Sequence, residues 1–290
     1  MGRGNLTLYN SDHKGFKWNQ FPLLIDTNKV GIRDIKWHST DKEEFFKMNL
    51  EELGSDWEYA DSEKTLRYDF NSWGYRAKEL DYLDKDNILV MGCSITEGVG
   101  LHKNDIWCHQ LSQALDIDIL NLGKGGVGPD TLYINTVLFI KNIYPKLGKK
   151  KPNLIIYQWP QSFRRSFAHV NVNYDRKTTD LEFTHYNINT VASDRDYTWF
   201  RTRYLRENGE MYRDHYINFC AINNMWKALD IPVLHWSYLQ DFELQLDIKS
   251  VQKIEITTPN KDKARDLRHD GKLAHSQVVD ELIPNVKKML

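Results

Sequence analysis

The sequence predicts an α/β fold, a three-layer α/β/α sandwich around a mostly parallel sheet, with an N-terminal accessory segment ahead of it. Three observations carry that expectation. Between Lys85 and Leu290, short apolar runs alternate with stretches of helical periodicity, the pattern of strands joined by crossover helices. The first run, Ile88-Leu89-Val90-Met91, passes straight into the small-residue turn Gly92-Cys93-Ser94. Residues 1–84 differ in character, being polar, rich in Trp and Asp, and poorly periodic, so the division is placed at 1–84 and 85–290.

In order, residues 1–84 read as short strands or turns rather than long helices, a layer packed on the main domain. Ile88 to Met91 is the first strand. Ile106 to Leu115 reads as a helix with Trp107, Leu111 and Leu115 on one stripe. Ile117 to Leu122 is the second strand, running into a glycine-rich turn. Pro129 to Ile143 is a helix by the spacing of Leu132, Val137, Ile140 and Tyr144. Gly148 to Pro152 is an exposed turn, a solvated surface rather than a phosphate site. Leu154 to Tyr157 is the third strand. Residues 166–198 form a long polar excursion rich in Asn, Asp and Thr, the kind of insertion that serves as a lid or substrate-shaping loop. Tyr204 to Leu229 reads as a long helix, with Asn208-Gly209 able to break its first turn. Ile231 to Trp236, with Pro232 at its opening, is the fourth strand, and Ala274 to Leu290 is the closing helix. No internal repeat or low-complexity tract interrupts this order.

Composition bounds the function. The chain has 290 residues, 41% hydrophobic and 27% charged, as in ordinary globular proteins. Its 39 Lys and Arg against 40 Asp and Glu give a net charge of -1, which argues against a whole-chain nucleic-acid footprint. The three cysteines, Cys93, Cys108 and Cys220, are widely spaced, so neither a disulfide framework nor a metal knuckle is expected and a reducing compartment is the default. The N-terminus shows no apolar signal region, and no run approaches the roughly 20 residues that span a bilayer. A cytoplasmic location without membrane insertion is the resulting expectation. No HExxH, EF-hand loop or P-loop occurs, so no metal or other cofactor is expected.

The residues with chemistry to offer are Ser94, Asp266 and His269. A serine hydroxyl is a weak nucleophile until a base takes its proton, and His269 is a candidate base. Asp266, three residues earlier, is placed to accept the other imidazole N–H, fixing the tautomer. Taken singly, Ser94 also reads as an N-cap, Asp266 as a cap before the last helix and His269 as a surface residue. Cys93 is a second conceivable nucleophile, although a small buried cysteine is usually a packing residue. Gly123-Lys124-Gly125-Gly126-Val127-Gly128 satisfies the GxGxxG dinucleotide fingerprint, but a strand precedes it and the next strand ends in Gln158 rather than an acid. Arg164 and Arg165 read either as an anion contact or as a solvated pair.

Gly92-Cys93-Ser94-Ile95-Thr96-Glu97-Gly98 resembles the first block of the SGNH, or GDSL-type, hydrolase superfamily. Asn121-Leu122-Gly123-Lys124-Gly125-Gly126 is similar to its second block, and Asp266-Leu267-Arg268-His269, with His275 beyond, to its last. Phe70-Asn71-Ser72-Trp73-Gly74-Tyr75-Arg76 is similar to a segment before the first block in some members. The resemblance covers roughly residues 85–285 and implies an oxyanion hole built from the Ser94 and Gly126 amides. It also leads one to look for an Asn after the third strand; here Gln158 or Gln161 is the candidate substitute, and Cys93 stands where the family has Asp. What it implies is hydrolysis of a carboxylic ester or O-acetyl group through an acyl-enzyme. Polar, aromatic-rich surroundings favour a carbohydrate or other hydrophilic small-molecule ester. The alternatives are an acyltransferase on the same fold, or a catalytically silent glycan-binding or structural protein. No nucleic-acid partner is expected, and the oligomeric state is open.

Overall fold

The structure, a computed structural model, describes residues 5–8, 29–161, 164–173, 178–187, 210–238, 250–259 and 262–290. Its centre is a five-stranded, all-parallel sheet of β2 (Asn87–Gly92), β3 (Asp118–Gly123), β4 (Leu154–Gln158), β7 (Val233–Tyr238) and β8 (Val251–Ile254). The strand order is β3-β2-β4-β7-β8, so the chain reverses its direction of winding between β2 and β4. That reversal opens a crevice at the carboxyl ends of the two strands. Both are buried along their whole length, as their unbroken apolar runs require of parallel strands covered on both faces.

Alternation along β2 divides the core into two. Leu89 and Met91 join Tyr157, Trp159, Leu132, Phe139 and Trp226 in one buried cluster. These come partly from α5 (Pro129–Asn142) and α6 (Glu210–Lys227), which cover one face of the sheet. Ile88 and Val90 join Trp107, Leu111, Val278 and Leu282 on the other face, beneath α4 (Trp107–Leu115) and α7 (Lys272–Met289). This is the helix–sheet–helix sandwich that the strand–helix alternation predicts.

The N-terminal segment is woven into that second cluster. Tyr59, Leu66, Tyr68 and Phe70 are buried among Val90, Leu101 and Ile106. It also holds a helix that the periodicity did not announce, α1 (Glu43–Leu53). Only Phe46 of α1 is buried, and an exposed Glu43–Lys47 pair spans one turn, so there is no apolar stripe to read. The polar excursion likewise differs from a loop. Overlapping it, β5 (Arg164–Asn173) and β6 (Thr178–Asn187) form an antiparallel pair, with β1 (Asn5–Leu8) added on β6. Residues 204–209 of the long expected helix, and 188–198 of the excursion, lie outside the described residues. Among the described residues no helix is long and apolar enough to cross a membrane.

One steric constraint ties sheet to site. A Cβ on Gly123, at the end of β3, would lie 2.6 Å from the backbone of Thr96 and Glu97. Gly123→Ala is expected to lower stability by about 1–3 kcal/mol through overpacking against backbone that cannot yield, read as a drop in thermal midpoint.

Candidate active site

β2 ends at Gly92, and after Cys93 the chain enters a single helical turn, α3 (Ser94–Glu97), closed by the left-handed Gly98 (φ 77°). This places Ser94 at the first helical position, above the carboxyl edge of the sheet and beside the winding reversal. The turn is braced from several sides. Gln158 Oε1 accepts the Cys93 N–H at 2.9 Å, and Asn121 Nδ2 donates to the Thr96 carbonyl at 2.7 Å. The buried Arg76 donates to the Gly98 and Leu101 carbonyls at 2.6 and 2.9 Å.

The other half of the site lies on the irregular loop between Asp262 and Gly271. The loop closes on itself through Ala264 N–H to the His269 carbonyl (3.0 Å), with Leu267 in the left-handed region (φ 53°) that a non-glycine residue rarely occupies. Its closure brings Asp266 Oδ2 to 2.7 Å from His269 Nδ1 and His269 Nε2 to 2.8 Å from Ser94 Oγ. With the Nδ1 proton directed to Asp266, Nε2 is left to accept the Ser94 hydroxyl.

Asp266 accepts from four donors. The backbone N–H groups of Arg268 and His269 each reach Oδ1 at 3.1 Å, while the Thr40 hydroxyl meets Oδ2 at 2.5 Å beside His269. Burial by itself would raise its pKa; the His269 contact, with Thr40 and the Arg268 amide, outweighs this and brings it down to about 2. Thr40 was not marked by any sequence pattern.

Nor was the pair that holds the loop. Arg265, wholly buried, gives Nε to Asp41 Oδ1 at 2.8 Å and Nη2 to Asp41 Oδ2 at 2.5 Å. Nη1 and Nη2 also donate to the Ser62 and Lys36 carbonyls, the former at 3.2 Å. Tyr68 donates to the same Asp41 carboxylate at 2.5 Å and accepts the Gly100 N–H at 2.8 Å. Residues expected to form an accessory layer therefore touch both the Ser94 turn and the loop that carries Asp266 and His269.

The remaining candidates fall as follows. Gly126 is exposed and left-handed (φ 81°), next to Gly125, whose Cβ, were it present, would lie 3.8 Å from that of Ser94. Gln158 is fully buried, its amide N–H bonded to the Trp159 carbonyl at 2.9 Å, and Gln161 accepts from Arg164 Nε at 3.2 Å. Neither Gln makes a hydrogen bond with Ser94; Gln158 supports the turn from within the fold instead. Cys93 packs in the apolar cluster with Tyr157 and Trp159. The Gly125 amide, which a dinucleotide's pyrophosphate would need, is already given to Glu97 at 2.5 Å. His275 accepts the Trp107 N–H at 2.9 Å, capping α4, and burial pushes its pKa down to about 4. Among the described residues no group of His, Cys, Asp and Glu could hold a metal ion.

No protein-family model matches the chain, and no curated protein matches it by sequence. Solved structures do. One is an acetyl xylan esterase (Est2A) from the rumen bacterium Butyrivibrio proteoclasticus, at 15% identity and a TM-score of 0.43, over 70% of this chain. This chain spans 64% of the length of that one. A structure described as TesA aligns at 12% identity and a TM-score of 0.42, over 70% of this chain and 99% of the other. A protein from Desulfitobacterium hafniense assigned to the G-D-S-L family aligns at 13% identity and a TM-score of 0.30, over 70% of this chain and 99% of that one. The α/β assignment stands on the chain's own parallel sheet and the helices on its two faces.

Two outcomes follow from the buried charges. Asp41→Asn leaves the Arg265 guanidinium without its counter-charge and is expected to cost about 3–5 kcal/mol in urea unfolding. Asp266 binds its proton less readily folded (about 2) than its ordinary 3.8, so its stabilisation is complete above the ordinary value and fades as pH falls through 2. Between pH 6 and pH 2 the native protein should lose on the order of 2 kcal/mol more than Asp266→Asn, measured by unfolding at each pH.

Proposed function

We propose that this protein hydrolyses carboxylic esters through an acyl-enzyme on Ser94. The observation that carries the reading is the unbroken line Ser94 Oγ–His269 Nε2 (2.8 Å) and His269 Nδ1–Asp266 Oδ2 (2.7 Å) at the carboxyl edge of the sheet. Ser94 Oγ attacks the ester carbonyl carbon while its proton passes to His269 Nε2. Asp266, ionised and held by four donors, keeps the imidazole in the required tautomer and steadies the imidazolium.

The charge that develops on the carbonyl oxygen is met by the Ser94 amide, at the start of α3, and the Gly126 amide. Collapse of the tetrahedral intermediate breaks the C–O bond, and His269 returns the proton to the departing alcohol. Water, deprotonated by His269, then attacks the acyl-enzyme and releases the acid and the Ser94 hydroxyl. Ser39 and Thr40 give the site a polar edge, which suits a short acyl group on a hydrophilic alcohol such as an O-acetylated sugar.

Release of product from p-nitrophenyl acetate tests this. Ser94→Ala is expected to lose a factor of about 10⁴ or more in turnover with an unchanged fold. Equal rates in the two proteins, or no hydrolysis by either, would contradict the reading.

A further inference from the structure

The site contains a second buried carboxylate that the triad does not use. Glu97 is three residues after Ser94 on the same turn and is 1% exposed. Its Oε2 accepts the Gly125 N–H at 2.5 Å; its Oε1 lies 2.9 Å from His38 Nε2 and 3.1 Å from Lys29 Nζ. We infer that Glu97 is a positioning residue for the oxyanion hole: it grips Gly125, and so fixes where the amide of the next residue, Gly126, points. This deepens the ester-hydrolase reading and rests on it.

The geometry leaves the loop little other freedom. Gly123 N–H is held by Asn121 Oδ1 at 2.8 Å and Lys124 N–H by the Gly92 carbonyl at 2.9 Å. Gly125 to Glu97 is the third successive anchor, and Gly126 follows it in an exposed left-handed conformation (φ 81°). A charged acceptor makes a shorter and stronger hydrogen bond than a neutral one, which suits a contact that must fix a glycine pair. A Cβ on Gly125 would meet Glu97 Oε2 at 2.9 Å, so the backbone lies directly on the carboxylate.

Charge explains the rest of the arrangement. A bare carboxylate close to a developing oxyanion would oppose it. Burial also opposes ionisation of Glu97, yet Lys29, then His38 and Lys124, hold it well below the usual carboxylate range. The carboxylate therefore serves as a fixed acceptor whose field is balanced by the Lys29 and Lys124 ammonium groups, burial holding the pKa of His38 below its ordinary value. His38 comes from the turn that also supplies Thr40 to Asp266, with His38 and Asp41 exchanging backbone hydrogen bonds at 2.9 and 3.0 Å. One turn thus supports both the oxyanion loop and the acid–base pair.

The test compares wild type, Ser94→Ala, Glu97→Gln and Glu97→Ala in the full chain, with p-nitrophenyl acetate turnover and phenylboronic acid binding as readouts. Boronate forms a tetrahedral anionic adduct on a serine oxygen and so reports the oxyanion hole rather than ground-state binding. Ser94-dependent hydrolysis by the wild type is the precondition; without it the hydrolase reading and this inference fall together. Given that, Glu97→Gln is expected to lower kcat about tenfold, having lost the charge but kept an acceptor. Glu97→Ala should lower kcat by a factor on the order of 10²–10³, the loss typical of one oxyanion donor. KM should stay within about threefold, and boronate affinity should fall with kcat. Folded Glu97 variants with wild-type kcat and boronate affinity would overturn the inference while leaving Ser94 as nucleophile. If Glu97→Ala does not fold, the nearly isosteric Glu97→Gln decides alone.

Discussion

The Ser94–His269–Asp266 hydrogen-bonded line depends on one buried ion pair. Arg265 has no access to water, and a guanidinium in that position is tolerable only because Asp41 and two carbonyls surround it. The next residue is Asp266. The loop that carries Asp266 and His269 has no helix or strand to define its path, so the point at which Arg265 is anchored sets where these two side chains sit. Asn49 holds the Arg265 carbonyl at 3.1 Å and the Gly100 carbonyl takes its N–H at 3.0 Å, locking side chain and backbone together. A buried pair of this kind adds little net stability over an apolar substitute, but it specifies one arrangement, because every alternative strands a charge.

On the opposite side of Ser94 the constraint is steric. The parallel sheet delivers β2 and β3 side by side, with Gly92 opposite Gly123 in register. The absence of side chains at the ends of these strands lets the loop after β3 run against α3 at backbone contact distance. The Ser94 turn and the glycine loop after β3 are therefore one packed unit, held from below by Gln158 and Asn121. The two constraints meet at the turn from His38 to Asp41, which reaches Glu97, Asp266 and Arg265 within four residues. Residues 29–84 are in this sense part of the site as well as of the core.

What was readable in the sequence divides along the same line. β2 and β4 announce themselves because strands buried on both faces must be apolar throughout, and α4, α5 and α7 begin or end within about two residues of their periodic stretches. β8 (Val-Gln-Lys-Ile) is a four-residue edge strand with two buried positions, too short for its alternation to register. β5 and β6 were hidden by polar composition, although Val170, Val172, Thr178 and Thr179 favour extended chain. Ser94, Asp266 and His269 could be picked out because their chemistry is concentrated in local motifs, and folding brings them into one hydrogen-bonded line. His38, Thr40 and Asp41 could not, since their partners are 59, 226 and 224 residues away and only the fold makes them neighbours. Gln158 shows the same limit from the other direction: its residue type suited an oxyanion donor, but the direction of its amide is decided by Cys93 and Trp159.

The most direct measurement is peptide-level mass spectrometry after reaction with a fluorophosphonate, which phosphonylates only a serine whose proton is taken by a neighbouring base. The account predicts one adduct, on Ser94, formed by the native protein and suppressed in His269→Gln. An adduct on another residue, or none under conditions where a known serine esterase is fully labelled, would contradict it.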